Sequence, residues 1–155
     1  MDIRPLSTVC GAEVIGLDCS SSIDDAGFAQ LREALVDHSV LVFRDQDLTP
    51  EQHVSFSALW GSLKGHLLLQ YLMPGQNYIL VVSNKRGDSG QPLGIEDAGR
   101  YWHSDVSYEN IPPMGSLLYG LEIPQSGGDT LFANQYQAYA NLPDELKARI
   151  AKMKA

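Results

Sequence analysis

The stretch GSLLYGLEIPQSGGDTLFAN, residues Gly115–Asn134, indicates the class of fold. An apolar, β-prone run occupies Gly115–Pro124, and a second run follows at Asp129–Asn134. Only the sequence QSGG separates them, and its paired glycines favour a tight reversal of the chain. The stretch therefore predicts two strands joined by a short turn. Strands connected in this way pair antiparallel, because a parallel pair needs a long crossover connection.

Further strands are predicted on the N-terminal side of this stretch. The runs SVLVFRD, Ser39–Asp45, and YILVVSN, Tyr78–Asn84, are continuous and β-prone, so both are predicted to be buried strands. The segment VCGAEVIGLDC, Val9–Cys19, is interrupted by glycines and predicts a short hairpin. The polar, glycine-rich segment Lys85–Arg100 predicts a long loop, a kind of segment that is often functional or mobile.

Helices are predicted to flank the strands. The segment Ile23–His38 repeats apolar residues on one face after an aspartate that suits the N-cap position. The segment Leu48–Gly61 opens with Thr49 and Gln52 at the spacing of a capping box and closes on a glycine. The tail, residues 141–155, also has a helical pattern with one apolar face.

The order of these elements decides between fold classes. Strands and helices do not alternate, and no glycine-rich loop joins a strand to a helix, so a Rossmann or P-loop fold is excluded. A chain of 155 residues is long enough for one domain with a real core. The sequence therefore predicts a single domain, residues 1–155, that is mostly β with flanking helices, an α+β class built on an antiparallel sheet or barrel.

The net charge limits the classes of binding partner, and the cysteine content indicates the cellular compartment. Lysine and arginine number 11 against 19 acidic residues, so the net charge is −8. This balance argues against a general nucleic-acid binder and against adhesion to anionic membranes. No signal-peptide pattern and no apolar run of ~20 residues is visible. The two cysteines, Cys10 and Cys19, are predicted to be free thiols in the cytoplasm, with a bridge across the hairpin as the less favoured alternative.

The segment RYWHSDVSYEN, Arg100–Asn110, contains the candidate chemistry. If it is a strand, as its composition suggests, His103 and Asp105 point to the same face and offer an imidazole nitrogen and a carboxylate oxygen side by side. One carboxylate with imidazoles and open positions suits non-haem Fe(II), and zinc hydrolases also use these ligands. The tripeptide alone equally allows a hydrogen-bonded surface histidine and a turn aspartate.

The surrounding motifs resemble the taurine dioxygenase (TauD/TfdA) family of Fe(II)- and 2-oxoglutarate-dependent dioxygenases. The resemblance is collinear across nearly the whole chain, and its most specific motifs are WHSD, Trp102–Asp105, and IPQSGGDTLFAN, Ile123–Asn134. The motifs are GAEVIGLD (Gly11–Asp18), HSVLVFRDQDLTPEQ (His38–Gln52), LWGSL (Leu59–Leu63), WHSDVSY (Trp102–Tyr108) with PPMGSLLYG (Pro112–Gly120), and IPQSGGDTLFAN (Ile123–Asn134).

This resemblance implies a fold, two cofactors and site residues. The family fold is a double-stranded β-helix, or jelly roll. His103 and Asp105 match the family's first two iron ligands, and Thr130 matches the residue whose hydroxyl binds a carboxylate of 2-oxoglutarate. His66 and Val106 match substrate-side positions. The implied reaction takes a small anionic substrate, dioxygen and 2-oxoglutarate, and hydroxylates a C–H bond of the substrate.

The chain also departs from the family pattern. Leu69 and Gly99 replace a tyrosine and an asparagine of the taurine enzyme, so the expected substrate is a sulfonate, a sulfate ester or an aryloxy carboxylate rather than taurine specifically. The family's third iron ligand, a histidine, and its 2-oxoglutarate-binding arginine fall past the last residue of the sequence. The jelly roll is therefore expected to be incomplete at its C-terminal side, with open sheet edges and self-association into a homo-oligomer.

Two alternatives stay open beside the dioxygenase. One is a non-catalytic, truncated family member that assembles through open sheet edges. The other is a zinc-bound hydrolase of jelly-roll type, which would turn over without 2-oxoglutarate.

Overall fold

The computed structural model describes residues 1–153, and these fall into two compact units. The first unit joins Met1–Asp47 to the segment that begins at Gly120, and the second is Leu48–Tyr119. No helix among the described residues is both long and apolar enough to cross a membrane.

The first unit contains a three-stranded sheet with the order β1-β2-β3. Strand β1 (Asp2–Pro5) pairs antiparallel with β2 (Ala12–Ile15), and β2 pairs parallel with β3 (Leu41–Phe43). The predicted N-terminal hairpin exists, but its first strand precedes the predicted range Val9–Cys19. The strand predicted at Ser39–Asp45 is confirmed in shortened form as β3.

Helix α1 (Asp25–His38) confirms the predicted helix. Its N-cap Asp24 accepts a hydrogen bond from the Gly27 amide at 2.8 Å, which satisfies one of the free N–H groups of the first turn. The helix lies against β3. The buried apolar side chains of this unit come from the helix, from β2 and from the segment between them: Ala12, Val14, Cys19, Leu31 and Ala34.

The cysteines are free thiols, as predicted. Cys19 is only 5% exposed. Its amide donates to the side-chain oxygen of Gln46 at 2.8 Å. Burial, and secondarily the charge of Asp18, raises the pKa of the Cys19 thiol to about 11, because a thiolate loses hydration there. Cys19 is therefore a packing residue rather than a nucleophile.

The second unit begins with helix α2 (Pro50–Ala58), which is also confirmed. The Thr49 hydroxyl accepts from the Gln52 amide at 3.2 Å, and the Gln52 side chain accepts from the Thr49 amide at 2.8 Å, so the capping box is closed in both directions. Phe56 is 5% exposed and packs edge-on against Trp60.

The buried strand predicted at Tyr78–Asn84 is wrong. The segment forms isolated bridges, Leu72 with Leu80 and Val82 with Ile95, instead of a continuous ladder. Part of the predicted loop folds back on it, since the Ile95 amide donates to the Val81 carbonyl at 2.9 Å. A β-prone run becomes a strand only where a neighbour offers a matching row of donors and acceptors, and here the pairing is interrupted.

Gly94 is the buried point of that contact. A Cβ at Gly94 would lie 2.7 Å from the Val81 carbonyl oxygen and 2.8 Å from the Ser83 nitrogen, both backbone atoms. We expect Gly94→Ala to destabilise the chain by about 1–3 kcal/mol, as overpacking typically does. Urea unfolding followed by fluorescence measures this change. Gly115→Ala is the matched control, because nothing lies within 4 Å of its added Cβ, and equal midpoints for the two variants would contradict the expectation.

The strands predicted at Gly115–Pro124 and Asp129–Asn134 are also wrong, since both segments are irregular. The turn between them is confirmed: Gly127 and Gly128 adopt φ of 74° and 72°, which glycine tolerates best. A strand persists only when a neighbouring chain segment pairs with its backbone, and no described segment pairs with these two.

Two short helices follow in the first unit. Helix α3 (Gln135–Ala140) was not predicted. Its N-cap is Asn134, whose side chain accepts from the Gln137 amide and also donates to the Val9 carbonyl at 2.7 Å. Helix α4 (Asp144–Ile150) confirms the helical tail in shortened form. The last residues of the predicted tail, Lys154 and Ala155, lie outside the described residues.

Candidate metal centre

The segment that holds His103 and Asp105 is a turn and not the predicted strand. Residues 101–104 are irregular, and Asp105–Tyr108 form a turn that the Glu109 amide closes on the Val106 carbonyl. Val106 has a φ of 51°. A β-branched residue is strained in this left-handed region, and such strain often occurs at functional sites. Strand alternation ends here, because a residue at positive φ redirects the chain.

The turn nevertheless brings the two side chains together. His103 Nε2 lies 3.1 Å from Asp105 Oδ1. The other ring nitrogen, Nδ1, lies 2.7 Å from the Tyr101 carbonyl oxygen. A carbonyl oxygen can only accept, so Nδ1 carries a hydrogen and donates a hydrogen bond to the Tyr101 carbonyl. The neutral ring therefore presents the lone pair of Nε2 to a carboxylate oxygen.

Two electron-pair donors that face each other need a positive charge between them. A proton on Nε2 can supply it, and the hydrogen bond to the Tyr101 carbonyl, followed by the charge of Asp105, raises the pKa of the His103 imidazole, although desolvation opposes this. A metal cation can supply it as well. Metal-bound histidines almost always donate their second N–H to a carbonyl or carboxylate, which fixes the tautomer and the ring orientation.

The carboxylate of Asp105 is oriented from its far side. Its Oδ2 accepts a hydrogen bond from the Ser116 hydroxyl at 2.5 Å, while Oδ1 faces the imidazole. The His103 and Asp105 side chains are 53% and 50% exposed, respectively. The two donor atoms are therefore reachable from solvent.

This donor set fits part of a metal site. One imidazole nitrogen and one carboxylate oxygen make up two of the three protein ligands of a non-haem iron centre. No cluster of three or more histidine, cysteine, aspartate or glutamate side chains suited to a metal occurs within residues 1–153. This pair alone would supply two of the ligands of a metal ion.

Two further histidines, His38 and His53, lie in helices α1 and α2. His38 ends α1. His53, in α2, packs against the Tyr119 ring with centroids 5.7 Å apart and donates to the Leu117 carbonyl. Burial lowers the pKa of the His53 imidazole, so this ring is held neutral for packing.

His66 and Val106, predicted on the substrate side, lie in the same unit as the pair. His66 Nδ1 accepts from the Leu68 amide at 3.1 Å, at the entry to a 3₁₀ turn, Leu69–Tyr71, and this leaves Nε2 for another partner. Lys64 forms an ion pair with Glu109 and so ties the His66 segment to the turn after Val106. An open cavity of about 510 Å³ adjoins this ion pair, and its lining residues are Lys64, Tyr108, Glu109, Asn110 and Ile111.

Thr130 lies in the first unit, exposed, two residues after the Gly127–Gly128 turn. The positive φ of both glycines matches the tight turn expected before it.

Sequence reasoning missed two groups of the site. The Tyr101 carbonyl is a backbone atom, and no sequence pattern points to it. Ser116 lies 11 residues after Asp105 in a run that was predicted as a strand, and a serine in such a run has no distinctive signal.

Comparison with curated proteins gives several relatives over the full chain. A pentalenolactone F synthase from Streptomyces avermitilis is 35% identical, with 100% of this chain and 52% of the relative covered. An (S)-phenoxypropionate/alpha-ketoglutarate-dioxygenase from Sphingobium herbicidovorans is 32% identical, with coverages of 99% and 52%. An alkylsulfatase from Acinetobacter baylyi is 33% identical, with coverages of 95% and 44%. The chain spans about half the length of these relatives.

Solved structures of similar proteins share the fold of this chain. A taurine dioxygenase from Burkholderia xenovorans is 36% identical and superposes with a TM-score of 0.81 over 97% of this chain and 51% of that one. AAD-2, solved in complex with Mn(II) and N-oxalylglycine, is 29% identical with a TM-score of 0.71, over 97% and 50% of the two chains. The fold described above is therefore that of TauD-like dioxygenases over the matched part.

A family model supplies the last comparison. The model described as taurine catabolism dioxygenase TauD, TfdA family, matches residues 2–155. The sequence resemblance, the shared fold and the paired His103 and Asp105 agree with one another, and the chain belongs to the TauD/TfdA family.

Proposed function

We propose that this protein is an Fe(II)- and 2-oxoglutarate-dependent dioxygenase that hydroxylates a small organic acid, and that His103 and Asp105 are two of its iron ligands. One observation carries the proposal: His103 Nε2 faces Asp105 Oδ1 at 3.1 Å while Nδ1 is tied to a backbone carbonyl. This is the arrangement of a metal-binding imidazole beside a carboxylate ligand. Relatives named as alpha-ketoglutarate dioxygenases support the choice of cosubstrate.

Each residue has a defined task in this proposal. Iron, when bound with 2-oxoglutarate and dioxygen, supplies the oxidising chemistry, and the cosubstrate leaves as succinate and carbon dioxide. His103 and Asp105 hold the metal from one side and leave positions for cosubstrate and dioxygen. Thr130 donates its hydroxyl to a carboxylate oxygen of 2-oxoglutarate, a charge-assisted hydrogen bond. Holding the reacting carbon close to the metal is the remaining contribution of the protein.

The substrate side is assigned to His66 and Val106. The free Nε2 of His66 can donate to a sulfonate, sulfate or carboxylate oxygen, and Val106 lines the substrate side from the turn after the metal pair. Two relatives are named as an (S)-phenoxypropionate/alpha-ketoglutarate-dioxygenase and an alkylsulfatase. Their names support a small anionic substrate for this chain. Leu69 and Gly99 favour a sulfonate, a sulfate ester or an aryloxy carboxylate over taurine itself.

The proposal extends to the fold and to assembly. We infer that residues 1–155 belong to a single domain of the jelly-roll family. The irregular segments expose large apolar side chains, which favours a homo-oligomer. The two free cysteines favour a reducing cytoplasm. Exposed residues of this kind between the metal pair and α3 are Ile111, Leu118, Leu121, Ile123 and Leu131.

The same exposed apolar surface favours a second candidate function. In this alternative, the chain is a non-catalytic family member that assembles through its unpaired segments and binds metal weakly. The two candidates differ in whether iron binding is coupled to consumption of 2-oxoglutarate and dioxygen.

An oxygen-uptake experiment tests the proposal. The chain is titrated with Fe(II) without oxygen, then mixed with 2-oxoglutarate, oxygen and a panel of sulfonates, sulfate esters and aryloxy acids. We expect one iron per chain and succinate formation that matches oxygen uptake and requires both iron and 2-oxoglutarate. Weak iron binding with no uptake would reject the dioxygenase in favour of the assembling alternative. Retained zinc with hydrolysis independent of 2-oxoglutarate would instead indicate the hydrolase.

A further inference from the structure

We propose that Ser116 is a positioning residue that holds the Asp105 carboxylate in the orientation needed for metal binding. The inference rests on the proposed metal site and adds a residue outside the His-X-Asp motif. The Ser116 hydroxyl donates to Asp105 Oδ2 at 2.5 Å, and Oδ1 of the same carboxylate lies 3.1 Å from His103 Nε2. The serine therefore occupies one oxygen and leaves the other for a cation shared with the imidazole.

The bond to Ser116 acts on an exposed side chain whose other contact is with the His103 ring. Asp105 is half exposed and begins a turn that contains the strained Val106. An exposed aspartate samples several χ1 rotamers, and each lost rotamer adds to the entropic cost of binding a metal. A hydroxyl fixed in space removes part of that cost in advance, which is the general role of outer hydrogen bonds around metal ligands.

Ser116 can do this because its own segment is anchored to α2. The backbone carbonyl of the next residue, Leu117, accepts a hydrogen bond from the half-buried ring of His53. Three residues after the serine, the Tyr119 hydroxyl accepts from the Leu48 amide at 3.0 Å, just before the helix. All these residues belong to one compact unit. The hydroxyl is thus tied to a capped helix rather than to a loose surface segment.

The orientation has a chemical consequence. With Oδ2 engaged by Ser116, Asp105 would offer Oδ1 to a metal ion. Without the serine, the carboxylate is free to rotate, so both the affinity and the ligand geometry change. A structural role for Ser116 alone would change stability and leave the geometry at the metal unaltered.

The test compares the wild-type chain with Ser116→Ala and Ser116→Thr. We expect Ser116→Ala to weaken Mn(II) binding by about 10-fold or more, within the range typical for removing such a partner. Ser116→Thr should restore most of the affinity, because the hydroxyl is kept and the exposed position accepts a methyl group. Co(II) absorption reports the ligand geometry independently of affinity, and it should change in Ser116→Ala and return in Ser116→Thr. Urea unfolding checks that the variants stay folded.

A measurement without metal keeps the inference separate from the proposed function. Side-chain coupling constants measured by NMR in the metal-free protein give the χ1 populations of Asp105. We expect one dominant rotamer in the wild type, averaging in Ser116→Ala and a dominant rotamer again in Ser116→Thr. If the wild type binds no metal, the proposed site is wrong, and unchanged Asp105 rotamers in Ser116→Ala would overturn the role of the serine. Equal metal affinity and equal Co(II) spectra in wild type and Ser116→Ala would overturn it as well.

Discussion

Replacing His103 by alanine should abolish stoichiometric binding of Fe(II) or Mn(II) to the chain. The described residues offer one imidazole and one carboxylate at the candidate site, so the variant keeps only a half-exposed aspartate. Loss of a direct ligand should exceed the ~10–100-fold loss of affinity that follows removal of an outer hydrogen bond. Isothermal titration calorimetry without oxygen measures the affinity, and Asp105→Asn should show a comparable loss.

The control for this experiment is another histidine of the chain. His38→Gln changes a residue at the end of α1, in the other compact unit, and should leave the metal affinity unchanged. If His103→Ala still binds one metal ion per chain with the wild-type affinity, the metal lies elsewhere, and the assignment of the site is wrong.

Replacing Leu31 by alanine should be among the most destabilising single changes in the chain. Leu31 is 0% exposed and is the largest fully buried side chain among the described residues. Truncation of a buried leucine removes apolar contacts and leaves a cavity, which together cost ~2–5 kcal/mol of unfolding free energy. Urea denaturation followed by circular dichroism measures the loss through the shift of the midpoint.

The same helix supplies the control for Leu31. Val36 is 79% exposed on α1, so Val36→Ala should change the unfolding free energy by no more than ~0.5 kcal/mol. If both variants lowered the midpoint equally, the burial of Leu31 would not explain its contribution to the stability of the chain. If neither did, α1 would not pack on the sheet in solution.

Local sequence signals were sufficient to predict helices α1 and α2. The capping box of Thr49 and Gln52 specifies where α2 begins, because its partners lie only three residues apart. Asp24 does the same for α1. Such contacts form within one segment, so a single sequence contains all the information that they need.

Strands were harder to predict because their partners are distant in sequence. The runs at Tyr78–Asn84 and Gly115–Pro124 are β-prone but form no continuous strand. A strand's hydrogen bonds are made with other segments, and β-propensity depends on that context more than helix propensity does. The pattern of one segment therefore overstates how much strand is present.

The candidate site was also predictable only in part. His103 and Asp105 were expected together because of strand alternation, yet a turn around Val106 brings them together instead. The two side chains lie together as expected, although the backbone around them is a turn and not a strand. Ser116 and the Tyr101 carbonyl could not be found in advance, because their roles depend on how the chain returns to the turn in three dimensions.

The central claim is that the imidazole of His103 binds a metal beside Asp105, and pulsed electron paramagnetic resonance of the Mn(II)-loaded chain tests it most directly. A nitrogen ligand couples its nuclear spin to the unpaired electrons of the metal. We predict one histidine nitrogen coupling in the wild type, the same coupling in His38→Gln and none in His103→Gln. A wild-type spectrum without nitrogen coupling, or a coupling that persists in His103→Gln, would contradict the claim.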